Sequence, residues 1–151
     1  MKPYYPLLLK TALFEGISAD DLDTLHRCLN FQVQKYQKDE AIFLESDVIT
    51  KFGIVLSGNI IIVKDDVYGK RSIISNIIPG NLFGEAFALS HQKMSSVSAY
   101  AASKSEILFL DAGKILTLCE ALCPFHTRLV HNIMRVIAEK NIFLNEKIKL
   151  S

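Results

Sequence analysis

The sequence predicts a mainly β domain, an antiparallel barrel or jelly roll, with helical segments at both ends. Three observations lead to it. Between residues 31 and 112, short runs rich in Val, Ile, Phe and Tyr alternate with Gly, Asp, Asn and Ser punctuation. Before residue 30 and beyond Gly113, apolar residues recur instead at spacings of three and four. The chain has 151 residues, half of them apolar, which is enough to bury one core of ordinary size.

Each element can be justified in order. In residues 1–30, Leu13, Phe14 and Ile17 are apolar anchors ahead of a helix. Ser18 followed by Asp21 three positions on resembles a capping box with Asp in place of Glu. Leu22, Leu25, Cys28 and Leu29 then form an amphipathic stripe. In residues 31–112, Phe52 to Leu56 reads as a strand, Ser57-Gly58-Asn59 as a turn and Ile60 to Val63 as the returning strand. Asp65 to Lys70, with Gly69 inside it, separates that run from Ser72 to Ile78. Pro79-Gly80 makes a sharp turn, and Glu106 to Leu110 reads as a later buried strand. Strands at intervals near ten residues are what suggest the barrel or jelly roll.

Residues 113–151 read as helical, with Pro124 in the first turn of a long helix, where its missing N–H does no harm. Val130, Met134, Ile137, Asn141, Leu144 and Ile148 alternate spacings of four and three, an a/d seam of about three heptads. Asn141 falls at an a position, where a buried Asn sacrifices stability and favours a parallel dimer in fixed register. The alternative is an amphipathic helix lying on its own barrel. Ile133, Val136, Ala138 and Phe143 widen the apolar surface, leaving one face for the barrel and another for a partner.

Composition removes several function classes. Lys and Arg number 17 against 16 Asp and Glu, a net charge of +1, so there is neither a polybasic arm nor an acidic tail. Plentiful apolar residues and near-zero charge argue against disorder. Three cysteines make a disulfide framework an unsuitable reading and suit a reducing cytoplasm. No run approaches the roughly 18 apolar residues that span a bilayer. The N-terminus has only a three-residue apolar run, Leu7 to Leu9, too short for a signal-peptide core. The expected protein is soluble and cytoplasmic.

The stretch from Ile78 to Ser98 carries most of the chemistry. Phe83-Gly84-Glu85 follows a turn, and Ala86 to Leu89 suit one helical turn whose N–H groups can receive an anion. Gly84 lets a ligand approach the backbone, and Glu85 offers a carboxylate suited to a sugar hydroxyl. Elsewhere, His26, His91, His126 and His131 contain no His-x-His pair, so no metal site is expected. Cys119 and Cys123 are four apart, a possible redox pair, but two thiols fill neither a zinc site nor an iron–sulfur cluster. Two half-buried helix cysteines is the favoured reading. No grouping argues for catalysis.

Taken together, Leu13-Phe14-x-Gly16-Ile17-Ser18, Leu56-Ser57-Gly58, Pro79-Gly80-x-x-Phe83-Gly84-Glu85 and the helix from Glu139 to Ile148 resemble the sensor half of the Crp–Fnr transcription regulators. The resemblance covers essentially the whole chain. It implies a double-stranded β-helix of the cyclic-nucleotide-binding type followed by a dimerisation helix. It also implies that the Gly84-Glu85 step belongs to a phosphate-binding cassette with Glu85 on the ribose. The arginine that pairs the cyclic phosphate in nucleotide-binding members falls at Ser95, and its small neighbour at Ser96. No Arg lies between Arg71 and Arg128, and nearby Lys93 lacks the two-pronged donor set. Losing that pair costs on the order of 2–5 kcal/mol, or about 30- to 4,000-fold in affinity. Tight cyclic AMP binding is therefore disfavoured.

Purine-contacting positions map near Leu144 and Asn145, and the apolar Leu144 weakens the cyclic AMP reading again. The implied ligand set is thus Phe83, Gly84, Glu85, Ala86, Ser95, Ser96, Leu144 and Asn145, for an effector of unknown identity. No cofactor is assigned, although some relatives ligate haem through a histidine and His91 stands beside the expected pocket. Asp39 and Ser46 occupy hairpin corners where family members usually carry glycine. The chain ends where a hinge to a helix-turn-helix domain would begin. Either the protein is sensor-only or the chain is an excised fragment, and the abrupt end favours the fragment. The expected partners are a second copy through the C-terminal helix, a small molecule, and DNA only through the missing domain.

Overall fold

Eight strands form between residues 32 and 111, and helices precede and follow them. The computed structural model describes residues 2–117 and 124–150. Two 3-10 turns, Lys2–Tyr4 and Ala12–Phe14, flank the short helix α1 (Tyr5–Leu8), and α2 (Ala19–Leu29) follows. Then come β1 (Gln32–Tyr36), β2 (Ala41–Phe43), β3 (Lys51–Ser57), β4 (Ile60–Asp65), β5 (Arg71–Ile77) and β6 (Leu82–Phe83). The single helical turn α3 (Glu85–Ala88) leads to β7 (Ser98–Ala101), β8 (Ser105–Asp111), α4 (Ala112–Leu116) and the long helix α5 (Pro124–Leu150).

The strands pair antiparallel in two sheets, ordered β1-β8-β3-β6 and β2-β7-β4-β5. Among the described residues the two sheets do not join, so the jelly roll is a sandwich and not a closed barrel. Strands β3 and β8 sit inside the first sheet, and alternate side chains leave on opposite faces. Ile54 and Leu108, paired in register, enter a core shared with the helices; Val55 and Ile107, also paired, enter the core between the sheets. All four are fully buried. Covering both faces is why β3 reads as an uninterrupted apolar run, each such side chain contributing about 1.5–3 kcal/mol.

The two unusual corners behave as their positions require. Asp39 (φ 69) and Ser46 (φ 77) adopt the left-handed backbone that favours glycine. Their N–H groups donate to the carbonyls of Ala101 and Ser95, each at 2.7 Å, which holds the corners against the β7 side of the fold.

Helix α2 begins as the sequence indicates, with Ser18 and Asp21 exchanging both capping-box bonds at 3.2 Å. Asn30 ends it at φ 51. Leu22, Leu25 and Leu29 are buried, but Cys28 is exposed. This corrects the four-residue stripe: Cys28 follows Leu25 by three and precedes Leu29 by one, which turns it about 100° off the buried row.

Helix α5 lies against the N-terminal segment. Leu129, Asn132 and Ile133 are buried, and Asn132 Nδ2 donates to the carbonyls of Leu13 (2.8 Å) and Glu15 (2.9 Å). His126 is buried with its Nε2 on the Ile115 carbonyl, tying α5 to α4. The Tyr5 hydroxyl donates to Asp23 of α2. No helix among the described residues is long and apolar enough to cross a membrane.

Replacing Asn132 with Ala leaves two carbonyls without their donor, and urea unfolding should show a loss of about 1–3 kcal/mol. Alkali gives a second test. Burial, reinforced by the bond to Asp23, pushes the Tyr5 phenol from 10.0 up to about 12. The fold favours the protonated phenol, so its contribution is complete below pH 10 and lost as pH rises through about 12. Tyr5→Phe should flatten stability across that window; an unchanged alkaline profile would contradict the assignment.

Candidate functional site

The site is built from a glycine turn, a buried carboxylate and a lysine from the far end of the chain. Gly84 caps α3 at φ 80. A Cβ there would meet nothing closer than Phe43 Cε2 at 3.7 Å, so backbone conformation and not crowding demands glycine. The preceding Phe83 is 2% exposed; its ring stacks on Phe43 (centroids 6.4 Å apart, 17° between planes) and meets Phe109 edge-on at 6.5 Å. These contacts fix the start of the turn.

Glu85 is only 5% exposed. A buried carboxylate needs a donor or a counter-ion, and Lys140 of α5 supplies both. Its Nζ forms an ion pair with Glu85 Oε1 and donates to the Leu82 carbonyl at 3.0 Å. Lys140 was not among the residues picked out from the sequence. Its signal is positional: His126, Leu129, Ile133, Val136 and Lys140 alternate spacings of three and four, so Lys140 ends the row that faces the body of the protein.

The other predicted ligand residues are distributed differently. Ala86 and Ser96 are exposed. Ser95 is 2% exposed and engaged locally: its hydroxyl donates to the Val97 carbonyl (2.6 Å) and accepts from Val97 N–H (3.2 Å). Its backbone N–H donates to Asp47 and its carbonyl accepts from Ser46. Lys93 Nζ donates to the Ala88 carbonyl at 2.7 Å, at the end of α3. Leu144 (53% exposed) and Asn145 stand in solvent, one turn beyond Lys140. Phe83, Gly84 and Glu85 thus meet the long helix through Lys140, and Leu144 and Asn145 stand apart from that contact.

The expected seam occupies a second row on α5. Met134, Ile137, Asn141 and Leu144 are exposed, and Val130 is half-buried. Val130, Met134, Ile137 and Asn141 each follow a body-facing position by one, so the two rows are turned by about 100°. Phe143, at 64% exposure, extends the apolar surface. The side chain of Ile148, and all of Cys119 and Cys123, lie outside the described residues. His91 is exposed, and the described residues contain no cluster of His, Cys, Asp or Glu arranged for a metal.

A groove of about 490 Å³ opens beside β1, lined among others by Gln34, Tyr36, Asp47 and Phe109. Phe43 and Ile49 line it too, and the same two side chains approach Gly84. The turn therefore has a spacious neighbour on one side and Lys140 on the Glu85 side.

This arrangement of turn, sandwich and long helix is that of a cyclic-nucleotide-binding-type domain. The pattern of the cyclic nucleotide-binding domain family matches residues 33–121, more than half of the chain, and the chain belongs to that family. A cyclic AMP receptor protein of Thermus thermophilus is 27% identical over 128 residues, which are 85% of this chain and 56% of that protein. The crystal structure of the Thermus thermophilus catabolite activator protein superposes with a TM-score of 0.75 at 25% identity, over 93% of this chain and 62% of that one. The sensor domain of the transcriptional regulator DNR from Pseudomonas aeruginosa gives 0.73 at 18% identity, covering 98% and 93%. The chain spans somewhat over half the length of the Thermus proteins it matches.

Gly84→Ala should destabilise the protein by about 1–2 kcal/mol through left-handed strain alone. Ser46→Gly, which relieves the same kind of strain, should be neutral or stabilising. Thermal denaturation of both variants reads the contrast; equal and opposite signs to these would contradict the backbone argument.

Proposed function

We propose that this chain is the effector-sensing and dimerisation domain of a Crp–Fnr-type transcription regulator, with a small-molecule site at Phe83–Ala86 that is not tuned to cyclic AMP. The observation that carries this reading is the Glu85–Lys140 contact, because it joins the turn to the helix whose other row is exposed and apolar. A ligand at the turn shifts α5 only by binding its two positions unequally. Such a shift alters how the row Val130, Met134, Ile137, Asn141, Leu144 and Ile148 meets a second copy. In the whole protein that change reaches DNA through a further C-terminal domain. Residues 1–30, 31–112 and 113–151 then serve as helical anchor, sensor sandwich and coupling helix of a cytoplasmic, non-enzymatic protein.

Two features speak against cyclic AMP. The position of the phosphate-pairing arginine holds Ser95, whose hydroxyl is spent on Val97. Glu85 already has a cation. That second feature also favours a different reading, a dimerisation module that has lost its ligand.

Calorimetry with cyclic AMP, cyclic GMP and a metabolite library separates the two. The sensor reading expects a response to a metabolite but none to cyclic AMP at micromolar concentration. Silence throughout favours the module, and tight cyclic AMP binding contradicts the inference from Ser95. For the seam, sedimentation of Met134→Glu with Leu144→Glu should give a monomer where the parent chain is a dimer. A parent chain that is monomeric at all concentrations would remove the seam.

A further inference from the structure

We propose that Lys140 determines specificity at the Gly84–Glu85 turn by occupying Glu85, so that neutral hydroxyl donors such as a ribose are barred from that carboxylate. The inference rests on reading this turn as the ligand site.

Three observations carry it. Glu85 is 5% exposed, and its carboxylate already holds the Lys140 ammonium. That ammonium also donates to the Leu82 carbonyl at 3.0 Å, one residue before the Phe83-Gly84-Glu85 step, so it has two partners at the turn while its side chain is 40% exposed. Lys140 belongs to α5, whose Leu129, Asn132 and Ile133 are buried against the body of the protein. The helix is therefore anchored two to three turns away and delivers the ammonium to the same place.

The competition can then be judged by charge. An ammonium–carboxylate contact carries charge on both partners, whereas a ligand hydroxyl meets the carboxylate with charge on the acceptor alone. A hydroxyl that took Glu85 would also have to displace the ammonium from its carboxylate partner beside the Leu82 carbonyl. Effective concentration favours the lysine further, since it is part of the same chain. A sugar hydroxyl therefore loses at Glu85 even where the rest of the ligand fits. The same contact joins turn and helix without any ligand.

The test uses the full 151-residue chain with adenosine as probe, a neutral ligand carrying ribose hydroxyls and no phosphate. Adenosine avoids the change in net charge that would confuse a cyclic nucleotide. Affinity is read by chemical-shift titration of the Glu85 amide in the parent chain, Lys140→Ala and Lys140→Arg. Lys140→Ala should bind adenosine at least about tenfold more tightly, the gain expected from freeing one charged acceptor. Lys140→Arg restores the cation and should return affinity to the parent value, which a general loosening of the helix would not do. Equal affinity in all three proteins overturns the exclusion while leaving the turn a ligand site. No shift of the Glu85 amide in any of them overturns both. Should Lys140→Ala fail to fold, the parent chain decides. Adenosine binding at Glu85 in the micromolar range, with the Lys140 ammonium resonance unmoved, overturns the proposal; an ammonium resonance unmoved by millimolar adenosine with no Glu85 shift, reversed by tenfold tighter binding in Lys140→Gln, supports it.

Discussion

A carboxylate with 5% of its surface exposed sets the terms for the rest of this protein. Glu85 sits on a single turn of helix, too short to neutralise it, in a loop whose glycine is fixed by a left-handed backbone. Left without a partner, such a charge costs several kcal/mol. The partner comes from 55 residues further along the chain, and it arrives only because α5 is already packed against the N-terminal segment. The 3-10 turn at Ala12–Phe14, the buried Asn132 and the row from His126 to Lys140 are therefore parts of one device. They aim an ammonium at a loop in the sandwich.

The consequence is a division of labour on one helix. One row meets the body and ends at the Gly84–Glu85 turn; the next, turned by about 100°, presents Met134, Ile137 and Leu144 to solvent. Rigid coupling between the rows needs no pathway of intermediates, since both are carried by the same backbone. On the proposed function, a change in how Glu85 is satisfied is passed to the row where a second copy would dock.

Much of the fold was legible in the sequence. Strands β3, β4, β5 and β8 fall within a residue or two of the runs that announced them, because their residues are β-branched and bounded by turns. Strands β1, β2 and β7 were not singled out: Gln32–Tyr36 is mostly polar, Ala41–Phe43 is three residues long, and Ser98–Ala101 is four residues long with Tyr100 its one large side chain. Asp39 and Ser46 were recognised as corner positions from the resemblance, and both take positive φ. The turn Phe83-Gly84-Glu85 was legible too. Lys140 was not, since a lysine on a long helix reads as solvated until the distant carboxylate it meets is known. Leu144 and Asn145, expected near the ligand from the resemblance, stand in solvent one turn beyond Lys140.

The central claim is that Glu85 and Lys140 act on each other as a pair. A double-mutant cycle with Glu85→Gln, Lys140→Gln and the combined variant, read by urea unfolding, measures that directly. Coupling of about 1–3 kcal/mol is expected for a charged pair with one partner buried. Additivity of the two substitutions within about 0.5 kcal/mol would contradict it, and with it the link between turn and helix.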